Sequence, residues 1–345
     1  MIAVKKHGIL LGKTSFEFEN EGVLNPATIR EGDIVHLFYR AVAKGNRSTI
    51  GYCKLNGPLD IELRYENPVI TQEHNYESQG VEDPRIVKID YHYYLSYTAY
   101  DGVNAMGAVA LSKDLVEWHK LGIIVPQITY NEFIELTSSN EQFIKKYVKY
   151  NSNAHLTNDE KENMVLWDKN LIFFPRRING KLCFIHRIRP EIQIVVSIEN
   201  FNELTTSFWK DYFQHLDEYV VLSPQYSHEA SYIGGGCPPI ETQYGWLLIY
   251  HGVYDDKNGH VYSACAALLD LENPQKEIAR LPYPLFKPEM EWEIKGEVNN
   301  VCFPTGTALF DDNLYIYYGA ADEQIATASV SLSELLKELL LNLKN

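Results

Sequence analysis

Five copies of one pattern constrain the fold of this chain more than any other feature of its sequence. Each copy has a strand-like run near a proline, a tight turn, and a second run that closes on an aromatic residue. The copies are NPATIREGDIVHLFYRA, DPRIVKIDYHYYLSYTA, FPRRINGKLCFIHRI, PPIETQYGWLLIYHG and FPTGTALFDDNLYIYYG. Turn residues such as Asn179-Gly180 tolerate positive φ, and the flanking runs are rich in Val, Ile, Phe and Tyr. The pattern predicts five β-hairpins.

The spacing of the copies predicts how these hairpins are arranged. Their closing aromatic positions lie 58 to 89 residues apart, at Tyr39, Tyr97, His186, Tyr250 and Tyr317. A repeat of this length holds a hairpin and up to two more strands, which is the content of a propeller blade. We therefore expect an all-β fold, a single five-bladed β-propeller domain over residues 1–345. A β-sandwich with coincidental hairpins is the alternative.

Two segments depart from the strand pattern. Residues 131–164 are polar and predict a partly helical insertion, which either covers one face or meets a neighbouring subunit. The segment SLSELLKELLLNLKN has leucines at helical spacing after a serine, and it predicts a C-terminal helix over about 331–344.

Composition excludes several classes of function. The formal net charge of −15 argues against nucleic-acid binding and against docking on an anionic membrane. The five cysteines are far apart and form no CxxC pair, and no HExxH motif occurs. We therefore expect no disulfide framework, no metal and no cofactor, and a reduced, cytoplasmic location.

Equivalent residues of propeller blades ring one mouth of a central channel, so ligand-binding residues are expected at equivalent positions of the repeat. The residues before the prolines form one such set: Asn25, Asp83, Phe174, Pro238 and Phe303. The residues after the closing aromatics form another: Arg40, Thr98, Arg187, His251 and Tyr318. Taken alone, Asp83 can equally be a strand-entry residue, Asp322 a solvated loop carboxylate and Glu229 a surface charge.

Carboxylates and cations around one pocket are typical of glycosidic bond cleavage. One acid protonates the leaving oxygen, and in an inverting hydrolase a second group, roughly 6.5–9.5 Å away, activates water. Inorganic phosphate as nucleophile needs a cationic pocket instead. Basic candidates for such a pocket are Lys169, Arg176, Arg177, His186, Arg187, Arg189 and His251.

The motifs GVEDPRI, YLSYTAYDG, GGGCPPIETQYGWLLIYHGV, NNVCFPTG and YYGAAD, in this order, resemble glycoside hydrolase family 130 from about residue 20 to the C-terminus. The resemblance implies a five-bladed β-propeller that cleaves β-mannosides with inversion. Most members are phosphorylases, and a smaller set that acts on β-1,2-linked mannosides are hydrolases. By motif, Asp83 corresponds to the proton donor, and Asn25, Arg40 and Asp322 hold the mannosyl unit. Arg85 is next to the acid and orients it.

The segment DKNLIFFPRRI carries Lys169-Asn170 where the phosphorylases carry an Arg-Asn pair. SHEASYIGGGCPP resembles the hydrolases, with Glu229 as the base. We therefore predict an inverting hydrolase of β-1,2-linked manno-oligosaccharides with Asp83 and Glu229 as catalytic residues. A phosphorylase that releases α-mannose 1-phosphate is the alternative, and a non-catalytic sugar-binding propeller is the third possibility. The sequence leaves room for a homo-oligomer. The predicted substrate-binding residues are Asn25, Arg40, Arg85, Lys169, Asn170, His186, Arg187, Tyr232, His251 and Asp322.

Overall fold

The computed structural model describes residues 2–138, 145–149, 164–257 and 259–344, and for Ser197 the backbone alone. Most of the described chain is β-strand. The strands are β1 (Lys5–Leu11), β2 (Gly22–Glu31), β3 (Ile34–Ala43), β4 (Arg47–Asn56), β5 (Asp60–Arg64), β6 (Gly80–Ile89), β7 (His92–Tyr100), β8 (Ala105–Ser112), β9 (His119–Ile123), β10 (Lys169–Phe173), β11 (Leu182–Arg187), β12 (Ile192–Ile198), β13 (Val220–Leu222), β14 (Tyr232–Gly235), β15 (Ile240–Thr242), β16 (Gly245–Asp256), β17 (Gly259–Leu269), β18 (Glu277–Arg280), β19 (Cys302–Phe310), β20 (Asn313–Ala320) and β21 (Gln324–Ser331). The helices are α1 (Tyr130–Thr137), α2 (Thr206–Gln214), α3 (Glu291–Ile294) and α4 (Leu332–Leu340).

All five predicted hairpins form, as β2–β3, β6–β7, β10–β11, β15–β16 and β19–β20. Their turns use the residues that the sequence indicated. Asp90, Asn179 and Asp311 adopt positive φ between 50° and 54°, a conformation that Asn and Asp tolerate better than other side chains. The prediction of a mostly β fold is confirmed.

Each hairpin belongs to a unit of consecutive antiparallel strands. The units are β2–β5, β6–β9, β10–β13, β14–β18 and β19–β21. One parallel bridge, between Ser48 and Gly80, joins the first two units into an eight-stranded sheet. The first strand of the chain, β1, pairs with β21 and completes the last unit, so the two ends of the chain share one sheet. Apolar side chains fill the space between units; an example is Phe174 against Trp246, with ring centroids 5.2 Å apart.

The helices lie outside the sheets. Thr129 caps the N-terminus of helix α1. Phe133 of this helix packs on Phe213 of α2, with the ring centroids 5.3 Å apart. Residues 145–149 are helical as well, and the remainder of the predicted insertion, 139–144 and 150–163, lies outside the described residues. Ser331 caps the N-terminus of helix α4, as predicted, and the helix ends at Leu340, a few residues earlier than expected. No helix in the described ranges combines the length and the apolarity that crossing a membrane requires.

Candidate active site

The first strands of three units carry the same irregularity at the same place. In each, one extra residue is inserted opposite the closing aromatic residue, directly after the pairs Leu24–Arg40, Glu82–Thr98 and Lys169–Arg187. The residues that follow these pairs, Asn25, Asp83 and Asn170, adopt left-handed φ values of 50°, 50° and 55°. A bulge of this kind redirects the side chain at the edge of a sheet. Asn25, Asp83 and Asn170 are therefore equivalent positions of the repeat.

This register corrects one assignment made from the prolines and one made from the closing aromatic residues. The third equivalent of Asn25 is Asn170, because Phe174 lies beyond the end of β10 and is buried against Trp246. In the last unit the register shifts between Pro304 and Gly306. Tyr318, rather than Tyr317, faces this shift, so the residue that follows the closing aromatic is Gly319. Proline directly follows the left-handed residue in the first two units, after Asn25 and Asp83, and in the last unit Pro304 stands at the register shift itself.

Asp83 lies in a cluster with Asn25, Arg40 and Glu82, which we call the acid cluster. Asn25 Nδ2 donates to Asp83 Oδ1 at 2.7 Å, and Arg40 Nη1 lies 3.6 Å from the same oxygen. Arg40 Nη2 also donates to Glu82 Oε1 at 2.8 Å. Burial raises the pKa of Asp83, but the Arg40 charge and the Asn25 hydrogen bond outweigh it and hold this pKa below its usual value. The lowered pKa leaves Asp83 ionised at neutral pH, and its side chain, which is 14% exposed, is open to a ligand.

Asp322 follows β20, also in the left-handed region, at φ 51°. Burial raises its pKa to about 6; the Arg40 charge opposes this shift, and the Asp83 and Glu82 charges add to it. Asp322 therefore takes up a proton more readily than Asp83 in the free protein.

Arg85 supports the acid cluster through the backbone. Its Nη1 donates to the carbonyl oxygens of Asp83 (3.0 Å) and Pro84 (2.9 Å), and its Nε donates to Gly236 O. These bonds fix the chain that carries the Asp83 carboxylate but do not touch the carboxylate itself.

A group of cations lies beside the acid cluster: Lys169, Arg187 and Arg189, which we call the cationic group. Burial lowers the pKa of Arg187 to about 10, and the Arg189 charge adds to this. The Lys169 charge helps to lower the pKa of Asp83. Burial, and with it the Arg187 charge, lowers the pKa of Lys169. The two clusters therefore share one electrostatic environment. Among the described residues no carboxylate pairs with Arg187, which is only 7% exposed.

His251 and Tyr232 border the cationic group. Arg187 Nη1 lies 3.3 Å from His251 Nε2. Burial first, and then the neighbouring arginines, lower the pKa of His251 well below its usual value, so the imidazole is neutral and its Nε2 accepts. The guanidinium of Arg189 lies 4.3 Å from the centre of the Tyr232 ring.

Gly234 explains part of the Gly-Gly-Gly run. A Cβ at this position would come within 2.5 Å of His251 Cε1 and 2.7 Å of Asn170 Oδ1. Glycine therefore allows both side chains to lie against β14. Asn170 Oδ1 and Arg187 Nε are buried and have no hydrogen-bond partner within the described part of the chain, which leaves them available to a ligand.

Comparison with known proteins identifies the family. A family model described as beta-1,4-mannooligosaccharide phosphorylase matches residues 13–159 and 145–340. The chain belongs to glycoside hydrolase family 130. Its relatives include the 1,2-beta-oligomannan phosphorylase of Thermoanaerobacter sp. (strain X514), 33% identical with 95% of this chain and 96% of the relative covered. The beta-1,2-mannobiose phosphorylase of the same organism is 34% identical, with 91% of each chain covered. The solved beta-1,2-mannobiose phosphorylase from Listeria innocua shares the fold, with a TM-score of 0.73 at 20% identity over 99% of this chain and 100% of that chain.

His186 does not face the site of this family 130 protein. It is fully buried, with Nδ1 2.7 Å from Asp168 Oδ2 and Nε2 2.8 Å from Tyr212 Oη. The prediction that His186 binds substrate is therefore corrected: its two ring nitrogens are used inside the protein.

Glu229, the predicted base, is also fully buried. Its Oε2 accepts from the backbone nitrogens of Gln225 (2.8 Å) and Tyr226 (3.1 Å), and its Oε1 accepts from the Tyr250 hydroxyl. Arg280 Nη1 lies 3.3 Å from Oε2. A general base needs a free oxygen within reach of a water molecule, and this carboxylate has both oxygens engaged.

The same arrangement occurs in three other units of the family 130 fold. Buried Glu19, Glu77 and Glu293 accept from the hydroxyls of Tyr39, Tyr97 and Tyr318 at 2.7, 2.6 and 2.6 Å. Each also pairs with a cation, and the partners are Arg64, Lys120 and Lys6. We call these four sets the glutamate–tyrosine clusters. Glu229 is a member of this structural set, so we assign it no part in the chemistry.

One potential metal-ligand set occurs among the described residues. Ligand atoms of His228, Glu229 and Cys265 lie within 4.8 Å of one another. Because the Glu229 oxygens already contact four donor groups of the protein, they are not available to a cation.

Glu82 and Ser48 are site residues that sequence reasoning missed, although Glu82 stands directly before Asp83. Both bind Arg40, with Arg40 Nε donating to Ser48 Oγ at 2.9 Å.

Proposed function

We propose that this protein is an inverting phosphorylase of β-1,2-linked manno-oligosaccharides that releases α-mannose 1-phosphate. The observation that carries the proposal is the cationic group: a buried Arg187 with no carboxylate partner among the described residues, beside Lys169, Arg189 and the acid cluster. Buried charge is costly unless it is compensated, and a phosphate dianion would compensate it. The names of the Thermoanaerobacter relatives, both phosphorylases of β-1,2-linked mannosides, support this reaction.

The acid cluster and the cationic group have separate roles in the proposed reaction. In the proposed step, a phosphate oxygen attacks the anomeric carbon from the face opposite the leaving sugar. The bond from that carbon to the bridging oxygen breaks, and the bridging oxygen takes a proton that originates on Asp83, directly or through a sugar hydroxyl. Asn25, Arg40 and Asp322 hold the mannosyl unit, and Lys169, Asn170 and Arg187 bind the phosphate.

The electrostatics support Asp83 as the source of this proton. In the free protein the Asp83 carboxyl is ionised, because its pKa is held low chiefly by Arg40 against the effect of burial. Binding of phosphate adds negative charge near Lys169, whose charge helps to lower that pKa. The pKa of Asp83 therefore rises when the anion arrives, and the acid form becomes accessible only in the loaded site.

Hydrolysis, which the sequence favoured, has less support. It required Glu229 as base, and that carboxylate belongs to a glutamate–tyrosine cluster. The resemblance to a solved structure of family 130 hydrolases, with a TM-score of 0.72 at 21% identity, concerns the fold alone.

The test is the phosphate dependence of turnover. With β-1,2-mannobiose as substrate, we expect cleavage whose rate saturates with inorganic phosphate and falls to background when phosphate is removed. Release of mannose at the same rate in phosphate-free buffer would overturn the proposal in favour of hydrolysis. Binding of mannobiose without cleavage in either buffer would favour a sugar-binding protein.

We further propose that the five units are the blades of a five-bladed propeller. Strand β2 contacts β6 and β19, and β10 contacts β6 and β14, as first strands around a common axis would. Arg85 of the second unit reaches Gly236 O of the fourth, across the centre of such a ring. A cytoplasmic location and a homo-oligomer stay predictions from the sequence.

A further inference from the structure

A buried hydrogen-bonded chain lies directly behind the cationic group. Asp168 precedes Lys169 at the start of β10, and His186 precedes Arg187 at the end of β11. His186 joins Asp168 to Tyr212 of α2 through its two ring nitrogens, at 2.7 and 2.8 Å. The three side chains are at most 2% exposed. The chain therefore links the strands that carry two cations to a helix outside the sheet.

In the third unit this chain takes the place of the glutamate–tyrosine clusters that the other four units have. In the register of the hairpins, His186 occupies the position of Tyr39, Tyr97, Tyr250 and Tyr318, whose hydroxyls bind the buried glutamates. The third unit instead pairs a histidine with Asp168. The substitution falls in the unit that contributes Lys169, Asn170 and Arg187 to the site.

The hydrogen bonds hold the His186 ring at both of its nitrogens. Nδ1 faces Asp168 Oδ2, and Nε2 faces the Tyr212 hydroxyl, which also lies 3.1 Å from Ile194 O. Because each ring nitrogen has a partner, the imidazole cannot rotate without losing a hydrogen bond. The chain therefore fixes the position of the ring beside Arg187.

We propose that Asp168, His186 and Tyr212 form a positioning chain that holds Lys169 and Arg187 in the geometry that binds phosphate. This inference rests on the proposed function in that it takes phosphate as the anion. Asp168 N also donates to Ala105 O of the second unit at 3.1 Å, so the chain anchors β10 on both sides. Positioning residues of this kind act through the side chains that they hold in place.

Tyr212→Phe is the decisive variant, since it removes the hydrogen-bond partner of His186 Nε2 without opening a cavity. We expect KM for phosphate to rise roughly two- to tenfold, the range for losing one intramolecular hydrogen bond, with kcat and KM for mannobiose unchanged. The matched control is Tyr219→Phe, because this ring stacks on Tyr212 at 4.3 Å and loses the same hydroxyl. It should leave all three constants at the wild-type values.

Two changes at Asp168 test the chain from its other end. Asp168→Asn keeps a group that can donate to Nδ1, so KM for phosphate should stay within about twofold, whereas Asp168→Leu should raise it as Tyr212→Phe does. If Tyr212→Phe leaves KM for phosphate unchanged, or lowers only the melting temperature, the chain is merely structural and the inference is wrong.

Calorimetric titration of each variant with inorganic phosphate separates this inference from the proposed function. A wild-type protein that binds phosphate but cleaves mannobiose without it would contradict the phosphorylase proposal. The effect of Tyr212→Phe on that phosphate affinity would still decide for or against the positioning chain.

Discussion

Asn25 donates a 2.7 Å hydrogen bond to the carboxylate of Asp83, 58 residues away in the sequence. Both residues stand at the same bulge of neighbouring units, with the same φ of 50°. Two copies of one repeat position thus place an amide and an acid in contact. The shared left-handed conformation directs both side chains to the same point, so the repeat itself assembles the acid cluster.

Asp83→Asn should abolish most activity, because an amide cannot supply the proton that the leaving oxygen needs. We expect kcat for phosphorolysis of β-1,2-mannobiose to fall roughly 10²- to 10⁴-fold. Asp90→Asn is the control: it is an exposed residue of the same unit, with a left-handed φ of 54° that Asn adopts equally well. An Asp83→Asn protein with wild-type kcat would mean that another group is the acid.

Arg187→Met should weaken phosphate binding without costing stability. The substitution removes a buried cation that has no carboxylate partner among the described residues, so KM for phosphate should rise roughly ten- to hundredfold. The free energy of unfolding should stay the same or increase. Arg177→Met, in the same unit but paired with Asp90 near the surface, should change neither quantity much. Unaltered saturation by phosphate in Arg187→Met would remove Arg187 from the anion site.

Glu229→Gln separates a structural role from a catalytic one. Loss of the carboxylate weakens contacts to Tyr250 and Arg280, and we expect the free energy of unfolding to fall by about 1–3 kcal/mol with kcat nearly unchanged. Urea unfolding and steady-state kinetics on the same preparation measure both. A hundredfold loss of kcat at full stability would restore Glu229 as the base.

Asp322 gives a pH-dependent prediction. Because burial raises its pKa to about 6 in the folded protein, folding binds a proton between pH 4 and 6, and the ionised form reduces stability above pH 6. At pH 8 the free energy of unfolding of Asp322→Asn should therefore exceed that of the wild-type protein by up to about 2 kcal/mol. This gain should disappear as the pH falls towards 4. Urea unfolding at several pH values checks it, and a gain that is the same at every pH would contradict the assigned shift.

Local patterns in the sequence predicted the hairpins and most of the acid cluster. Asn25 and Asp83 were found because each directly precedes the proline of its repeat, and Arg40 was found because it follows a closing aromatic residue. Phe174 was misplaced because the proline of the third unit, Pro175, lies beyond the end of β10, whereas Pro26 and Pro84 lie at the bulge. Bulge register depends on pairing with the partner strand, which proline spacing does not reveal.

The role of Glu229 was missed because its partners come from separate strands. One signal was present in the chain: Glu19 and Glu77 each precede the closing tyrosine of their unit by 20 residues, and Glu229 precedes Tyr250 by 21. His186 breaks this rule, and Tyr212, its partner, lies on a helix that the repeat does not contain. Contacts of this kind follow from packing and not from spacing.

The most direct test of the phosphorylase account is ³¹P NMR of a reaction containing the protein, β-1,2-mannobiose and inorganic phosphate. The account predicts that inorganic phosphate is consumed and that α-mannose 1-phosphate and free mannose appear in equal amounts. Cleavage to two molecules of mannose with the phosphate signal unchanged would contradict it.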